Sequence, residues 1–326
     1  MKPAFSVIFL TTLIGAAQGL FLALVAAQLY ALLNILPTQD SQSFHALGAL
    51  MAFTLSALGL ASSFFHLGRP ERAWRSAAMW RTSWLSREII VLPAFMGVVL
   101  LYGVAHFAGW NSALATLPYG IVIDPTILLG VVGTVLAFAL FFCTAMIYAC
   151  LPFLREWHSP LTVLNYTLLG SASGFTLAAA FASTSAPELV RFYAIWALII
   201  TLLALVCRGA SLRRNHHLRP KSTMQTAIGV KHPRIVQKSM GFLGESFNTR
   251  EFFHGRSRST LRSVKWVFLI AAFLLPVLLL AAWLWAALPA ALPLAFILQY
   301  LGLLAERWFF FAQANHPQNL YYQAVA

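Results

Sequence analysis

Acidic residues are scarce in this chain. Nine Asp and Glu occur among 326 residues, and charged side chains of both signs together make up 10%, where an ordinary soluble domain carries about a quarter. A water-exposed globular domain is thereby excluded. Cysteine is rarer still: Cys143, Cys150 and Cys207 stand apart within apolar runs, with no CxxC pair and no Cys/His cluster. That argues against a disulfide framework or a zinc site, and no metal ligands are expected. The three are read as small core residues. Ionisable side chains are nearly absent from the middles of the apolar runs, where a proton-driven transporter is expected to keep a carboxylate or a cation. The polar residues there, Gln18, Gln28, Asn165 and Gln299, are neutral and suit hydrogen bonds between helices.

What the chain has instead is apolar length. Hydrophobic residues make up 60%, in runs that meet the roughly 20 residues needed to cross a hydrocarbon core of about 30 Å. The runs predict an all-α integral membrane protein with eight transmembrane helices, at about 5–35, 44–66, 88–108, 126–152, 160–183, 188–208, 264–287 and 290–312. The last two come from one stretch, Trp266–Ala305, that holds no charge in 40 residues. As a single helix it would be about 60 Å long, so it must fold back, and Pro289 and Pro293 mark the hairpin. Placing both termini in the cytoplasm puts 21 of the 22 Lys and Arg on that side and leaves only Arg191 opposite. This asymmetry sets the expected orientation. The net charge of +13 then reflects basic inner loops, and no nucleic-acid partner is expected. The charge-free run Pro3–Gln39 is too long for a signal-peptide core, so it is expected to be a retained span in the cytoplasmic (inner) membrane.

One connection is long. Residues 209–263 lie between the sixth and seventh helices and are predicted to be cytoplasmic. From Arg208 to Lys265 there are thirteen Lys and Arg against Glu245 and Glu251. A solvated basic tether, or a strip held by anionic lipid, is one reading. The middle, MGFLGESFNTREFFHG, sets Phe242, Phe247, Phe252 and Phe253 among charges and glycines, and Asn248 with Glu251 can cap a short helix ending at Gly255. That composition favours a loop that docks a partner.

The other dense charged segment is His66–Glu88, HLGRPERAWRSAAMWRTSWLSRE, between the second and third helices. It carries five arginines, at 69, 72, 75, 81 and 87, and three tryptophans, Trp74, Trp80 and Trp84. Trp with Arg is the composition of the headgroup level, where an amphipathic ring and a snorkelling cation both find partners. A titratable imidazole and a titratable carboxyl thus stand where two neighbouring helices emerge on one side. Quinone chemistry suits them: it moves two electrons and two protons, and a ring entering from lipid needs donors that also exchange protons with water. In this reading His66 hydrogen-bonds one quinone oxygen, Glu88 accepts or relays a proton, and Arg81 or Arg87 holds the local charge. The plainer alternative makes His66 an interfacial histidine and Glu88 the partner of a surface ion pair with Arg87 or Arg81. Haem b needs two axial histidines, and the candidates are His45 with His106 or His66 with His158. None of these sits mid-span, so haem is not favoured.

The HLGRPERAWRSAAMWRTSWLSREI segment, the eight-span layout and the ending AERWFFFAQANHPQNLYY resemble the integral membrane anchor subunit of dimethyl sulfoxide reductases, over essentially the whole chain. The resemblance implies a three-part enzyme: a catalytic subunit with molybdenum-bis(molybdopterin guanine dinucleotide), a ferredoxin-like subunit with four iron–sulfur clusters, and this anchor, exchanging electrons with ubiquinone or menaquinone. It also places quinol binding on His66 and Glu88. The long basic loop is more similar to the anchors of membrane-bound cytoplasmic sulfite dehydrogenases, which implies electron flow from sulfite to quinone. Two alternatives stand beside that reading. One is the quinol-oxidising anchor of a dimethyl sulfoxide, or other S- or N-oxide, reductase. The other is a transporter or assembly-only scaffold in which His66 and Glu88 merely shape a loop.

Overall fold

The computed structural model describes residues 1–39, 41–116, 122–219, 222–236, 238 and 251–321, and the side chains of residues 41–43, 66 and 321 lie outside that description. The first helix, α1, is Phe5–Leu32. A π turn at Ser41–Ala46 leads into α2, Leu47–Ser63. Short 3-10 turns at Phe64–His66 and Pro70–Ala77 cross to α3, Trp84–Phe107. A two-residue antiparallel pair, Ala115–Thr116 with Val122–Ile123, precedes α4, Pro125–Ala149. Then follow α5, Pro160–Ser185, and α6, Val190–His216. The last two are α7, Arg258–Ala286, which contains a π turn at Ile270–Leu274, and α8, Ala291–Ala312.

Among the described residues, seven of these helices are long and apolar enough to cross a membrane. The exception is α5, which has 26 residues but a sequence rich in Ser and Thr. Its hydroxyls bond back to carbonyls of their own helix, Thr167 to Val163 O at 3.1 Å, Ser173 to Gly170 O at 2.9 Å and Thr176 to Ala172 O at 2.8 Å. Such bonds satisfy a hydroxyl locally, so it asks little of its surroundings.

Caps explain where the helices begin. Asp124 accepts from Ile127 N at 2.9 Å and Ser159 from Leu161 N at 3.2 Å, each followed by proline at the first helical position, which is where proline costs nothing. The charge pattern predicts a third helix from residue 88, but Ser83 accepts from Ser86 N as its cap and the helix opens at Trp84. Similarly, Ser257 caps α7 and carries it six residues into the basic connection. The fold-back between α7 and α8 turns at Ala287, φ 49°, with Pro289 in the turn and Pro293 in the first turn of α8.

The helices meet where side chains are smallest. On α1, Gly15 and Gly19 face Gly170 and Gly174 of α5, so that a Cβ on Gly19 would lie 2.3 Å from Gly170 O and one on Gly174 would lie 2.1 Å from the Gly19 carbonyl carbon. Small residues four apart on both helices let two backbones touch, which is a main source of helix association where lipid removes the hydrophobic drive. Gly302 of α8 does the same against Ala272 N in the π turn, at 2.2 Å.

The end of the long connection is tied to both ends of the chain. Lys2 N donates to Glu251 O at 2.9 Å and the Met1 amino group to Ala314 O at 2.9 Å. Asn319 Nδ2 donates to Phe252 O at 3.3 Å, and the Phe252 ring lies 4.1 Å from that of His316. The rest of the expected docking sequence, 239–250, lies outside the described residues.

Replacing Gly174 with valine puts methyl groups where the α1 backbone already stands, an overpacking typically worth about 1–3 kcal/mol and more where backbone must move. Gly174→Val is expected to lower the melting temperature of the detergent-solubilised protein by several degrees, whereas Gly97→Val, in open space, should leave it unchanged.

Candidate functional site

The first turns of α3 divide two neighbouring residues between two environments. Arg87 turns outward along the surface segment: Nε donates to Trp80 O at 2.9 Å, Nη2 to Arg81 O at 2.7 Å, and the guanidinium lies 4.1 Å from the Trp84 ring centre. Arg81 is exposed and lies 5.3 Å over Trp80, as Arg75 lies 5.5 Å over Trp74. These three Arg–Trp pairs form the wet side of the segment. Glu88 points the other way. Its side chain is buried, 7% exposed, and Thr144 of α4 donates to its Oε1 at 2.5 Å. It therefore forms no surface ion pair with Arg87 or Arg81. His66 closes the 3-10 turn after α2, and its side chain is outside the described residues.

Glu88 lines a cavity between α1, α3, α4, α5 and α8 whose polar wall includes Thr11, Gln18, Thr144, Ser173, Tyr166 and Arg307. The cavity offers about 20 Å³ to a water-sized sphere, which is room for a water and not for an aromatic ring. In the first turn of α3, Trp84 meets the half-exposed Phe142 of α4 edge to face at 5.3 Å.

A buried ionic group that the sequence does not single out lies next to this cavity, with Arg307 in the wall. Glu306, fully buried, holds Arg208 through Nε–Oε1 at 2.7 Å and Arg307 through Nε–Oε2 at 2.6 Å, both arginines at most 4% exposed. Arg307 also lies over the Tyr166 ring, its guanidinium carbon 4.0 Å from the ring centre. Two cations against one anion leave an excess of one positive charge. Removing one member of such a group is typically costly by about 3–5 kcal/mol, since it strands the rest without water. The signal available was the Glu306–Arg307 pair itself, the first charges after 40 residues without one.

At the opposite ends of α1–α4 lies a larger cavity, about 220 Å³, lined among others by His45, His106, Gln28 and Asp124. The His45 and His106 rings are stacked 4.6 Å apart at 20°, and Tyr102 donates to Gln28 Oε1 at 2.9 Å while lying 3.3 Å from His45 Nδ1. Two axial imidazoles address one iron from opposite faces of a macrocycle. A face-to-face stack at 4.6 Å leaves no space for the macrocycle, so this pair does not fit haem b. His158 has its Nδ1 2.6 Å from Ala149 O. Among the described residues no three His, Cys, Asp or Glu are grouped to hold a metal ion.

Two comparisons bear on the molecule as a whole. The family described as DMSO reductase anchor subunit (DmsC) matches residues 1–313. A sulfite dehydrogenase subunit of Allochromatium vinosum is 58% identical over 326 residues, covering all of both chains. With its apolar helices and a match over nearly its full length, the chain belongs to the DMSO reductase anchor subunit family and is an integral membrane anchor subunit of an oxidoreductase.

Proposed function

We propose that this subunit is the quinone-reactive anchor of a molybdopterin and iron–sulfur oxidoreductase, passing electrons between an iron–sulfur subunit and the quinone pool, in the direction from sulfite to quinone. The observation that carries the reading is Glu88. It is a carboxyl withdrawn from water at a membrane edge, held by Thr144, and open on its inner side to a small cavity with polar groups in its wall. A buried carboxyl positioned in this way can give or take a proton without leaving its site. In this reading the quinone head lies on the lipid side, by Trp84 and Phe142, because the inner cavity is too small for a ring, and the inner side serves proton exchange. His66 hydrogen-bonds one quinone oxygen, Glu88 serves the other, and Arg81 and Arg87 hold the charge of the surface segment.

The rest of the assignment follows from charge and from the relative. All eight long helices, α5 included, cross the cytoplasmic membrane with both termini inside, which places the basic surfaces in the cytoplasm. A cationic, tryptophan-edged platform there suits an acidic face on a four-cluster iron–sulfur subunit, which in turn binds the molybdenum catalytic subunit. Sulfite as the electron source rests on the likeness to the Allochromatium vinosum protein.

Glu88→Gln and His66→Ala are expected to leave the complex assembled, with artificial-acceptor activity intact, and to lower quinone-linked electron transfer at least about tenfold, within the usual contribution of acid–base groups. Wild-type quinone-linked rates in both variants remove the two residues from the site. Deleting residues 239–255 is expected to release the soluble subunits from membranes on a native gel, while the anchor stays inserted. A complex that remains whole excludes that loop as the dock.

A further inference from the structure

Arg307 and Tyr166 stand in two cavities at once. On one side is the cavity that holds Glu88 and Thr144. On the other is a second, smaller cavity, with about 10 Å³ open to a water-sized sphere, that continues past Arg208, Asn165 and Ser211 to Glu156, Arg214 and Asn215. Those last three are half-buried at the inner ends of the helices, where Arg214 Nη1 donates to Arg155 O at 3.0 Å and Asn215 Nδ2 to Glu156 O at 3.3 Å. The two cavities thus trace a line from Glu88 to the inner surface, with the buried ionic group as its waist.

The atoms that face this line are short of partners. The Tyr166 hydroxyl interacts with the side chains of Arg307 and Tyr148 without reaching good hydrogen-bond geometry, and Arg208 Nη2 and Asn165 Oδ1, also buried, have no partner in that geometry among the described residues. A buried polar atom without a partner is costly, and a water in a polar, water-sized cavity relieves several at once. Donors on both sides of a shared wall are what a chain of such waters needs in order to continue.

We infer that the Tyr166–Arg307 wall and the two cavities it separates form the proton route between Glu88 and the cytoplasmic surface, with Glu306 fixing Arg307 in place. This rests on the reading of Glu88 as a quinone-site residue. Reducing a quinone takes two electrons, here from the iron–sulfur partner, and two protons. Glu88 donates one proton to a quinone oxygen and is reprotonated from the cytoplasm along this route. The second proton is taken at the membrane surface on the His66 side. The excess positive charge of the waist opposes an excess proton or other cation resting there and favours the reverse polarity: the Glu88 carboxylate, once it has given up its proton, takes one from its neighbour, and the deficit passes outward through Tyr166 and water to the surface. Glu306 and the two arginines are positioning residues in this scheme, and Glu156 marks the mouth.

The test uses the complete complex and a soluble quinone analogue. Tyr166→Phe keeps the ring beneath Arg307 and removes only the hydroxyl, so folding is not at stake. It is expected to lower kcat at least about fivefold, a modest share of the 10²–10⁴ typical of proton-transfer groups, with KM unchanged. The solvent deuterium isotope effect on turnover should rise, and a small membrane-soluble weak acid should restore part of the rate. Glu156→Gln, at the mouth, is expected to show the same isotope and rescue pattern with a smaller loss. Wild-type kcat and isotope effect in Tyr166→Phe, with Glu88→Gln impaired, would overturn the route and leave the quinone site standing. Wild-type rates in both would instead overturn the quinone assignment beneath it. A rate loss in Tyr166→Phe without isotope change or rescue would reduce the residue to a structural role and also overturn the route.

Discussion

The backbone of α1 rests on the backbone of α5, with no side chain between them at Gly19 and Gly174. Much of the molecule's interior geometry depends on that approach. Gly15 and Gln18 on one helix and Gly170 and Ser173 on the other line the same cavity as Glu88, so the spacing of these helices sets the width of the polar space beside the carboxyl. Gln18 crosses from α1 to α4, donating to Ala137 O at 2.8 Å, which ties the same pair to the helix that carries Thr144. In a bilayer the core is no more attractive to an apolar side chain than lipid is, so close backbone packing and interhelical hydrogen bonds have to supply the association.

The second constraint is the cost of charge away from water. The bundle holds an anion between two cations, and it does so near the end where the chain's positive charges gather. Burying such a group is seldom the most stable choice, and an apolar replacement of equal volume is often as good or better. Its presence is therefore better understood through what it faces than through the stability it confers. It faces two small cavities with polar groups in their walls and the ring of Tyr166.

Much of the architecture is legible in the order of residues. Apolar run length places most of the long helices to within a few residues; α3 and α7 begin earlier because a serine cap outweighs the charges behind it, and α6 runs to His216, eight residues past its expected end and into the basic connection. The hairpin at Pro289 follows from a run too long for one helix. Less visible is α5, whose hydroxyls reduce its hydropathy yet bond within the helix. The Gly15/Gly19 and Gly170/Gly174 spacings are present in the sequence but do not announce which glycines meet.

For the candidate site, the sequence alone could single out Glu88, because a carboxyl among arginines and tryptophans at the edge of an apolar run is unusual in so acid-poor a chain. Family membership and membrane insertion are likewise written in the order of residues, since both depend on local composition and length. Only the tertiary structure decided that Arg87 and Glu88 part company, that Thr144 is the carboxyl's partner, and that Arg208 and Glu306, 98 positions apart, form one ionic group. The physical reason is that these contacts are made by different helices. Rotation of a helix about its axis is set by how its neighbours pack, and a string of mostly apolar residues facing lipid and protein alike does not specify it.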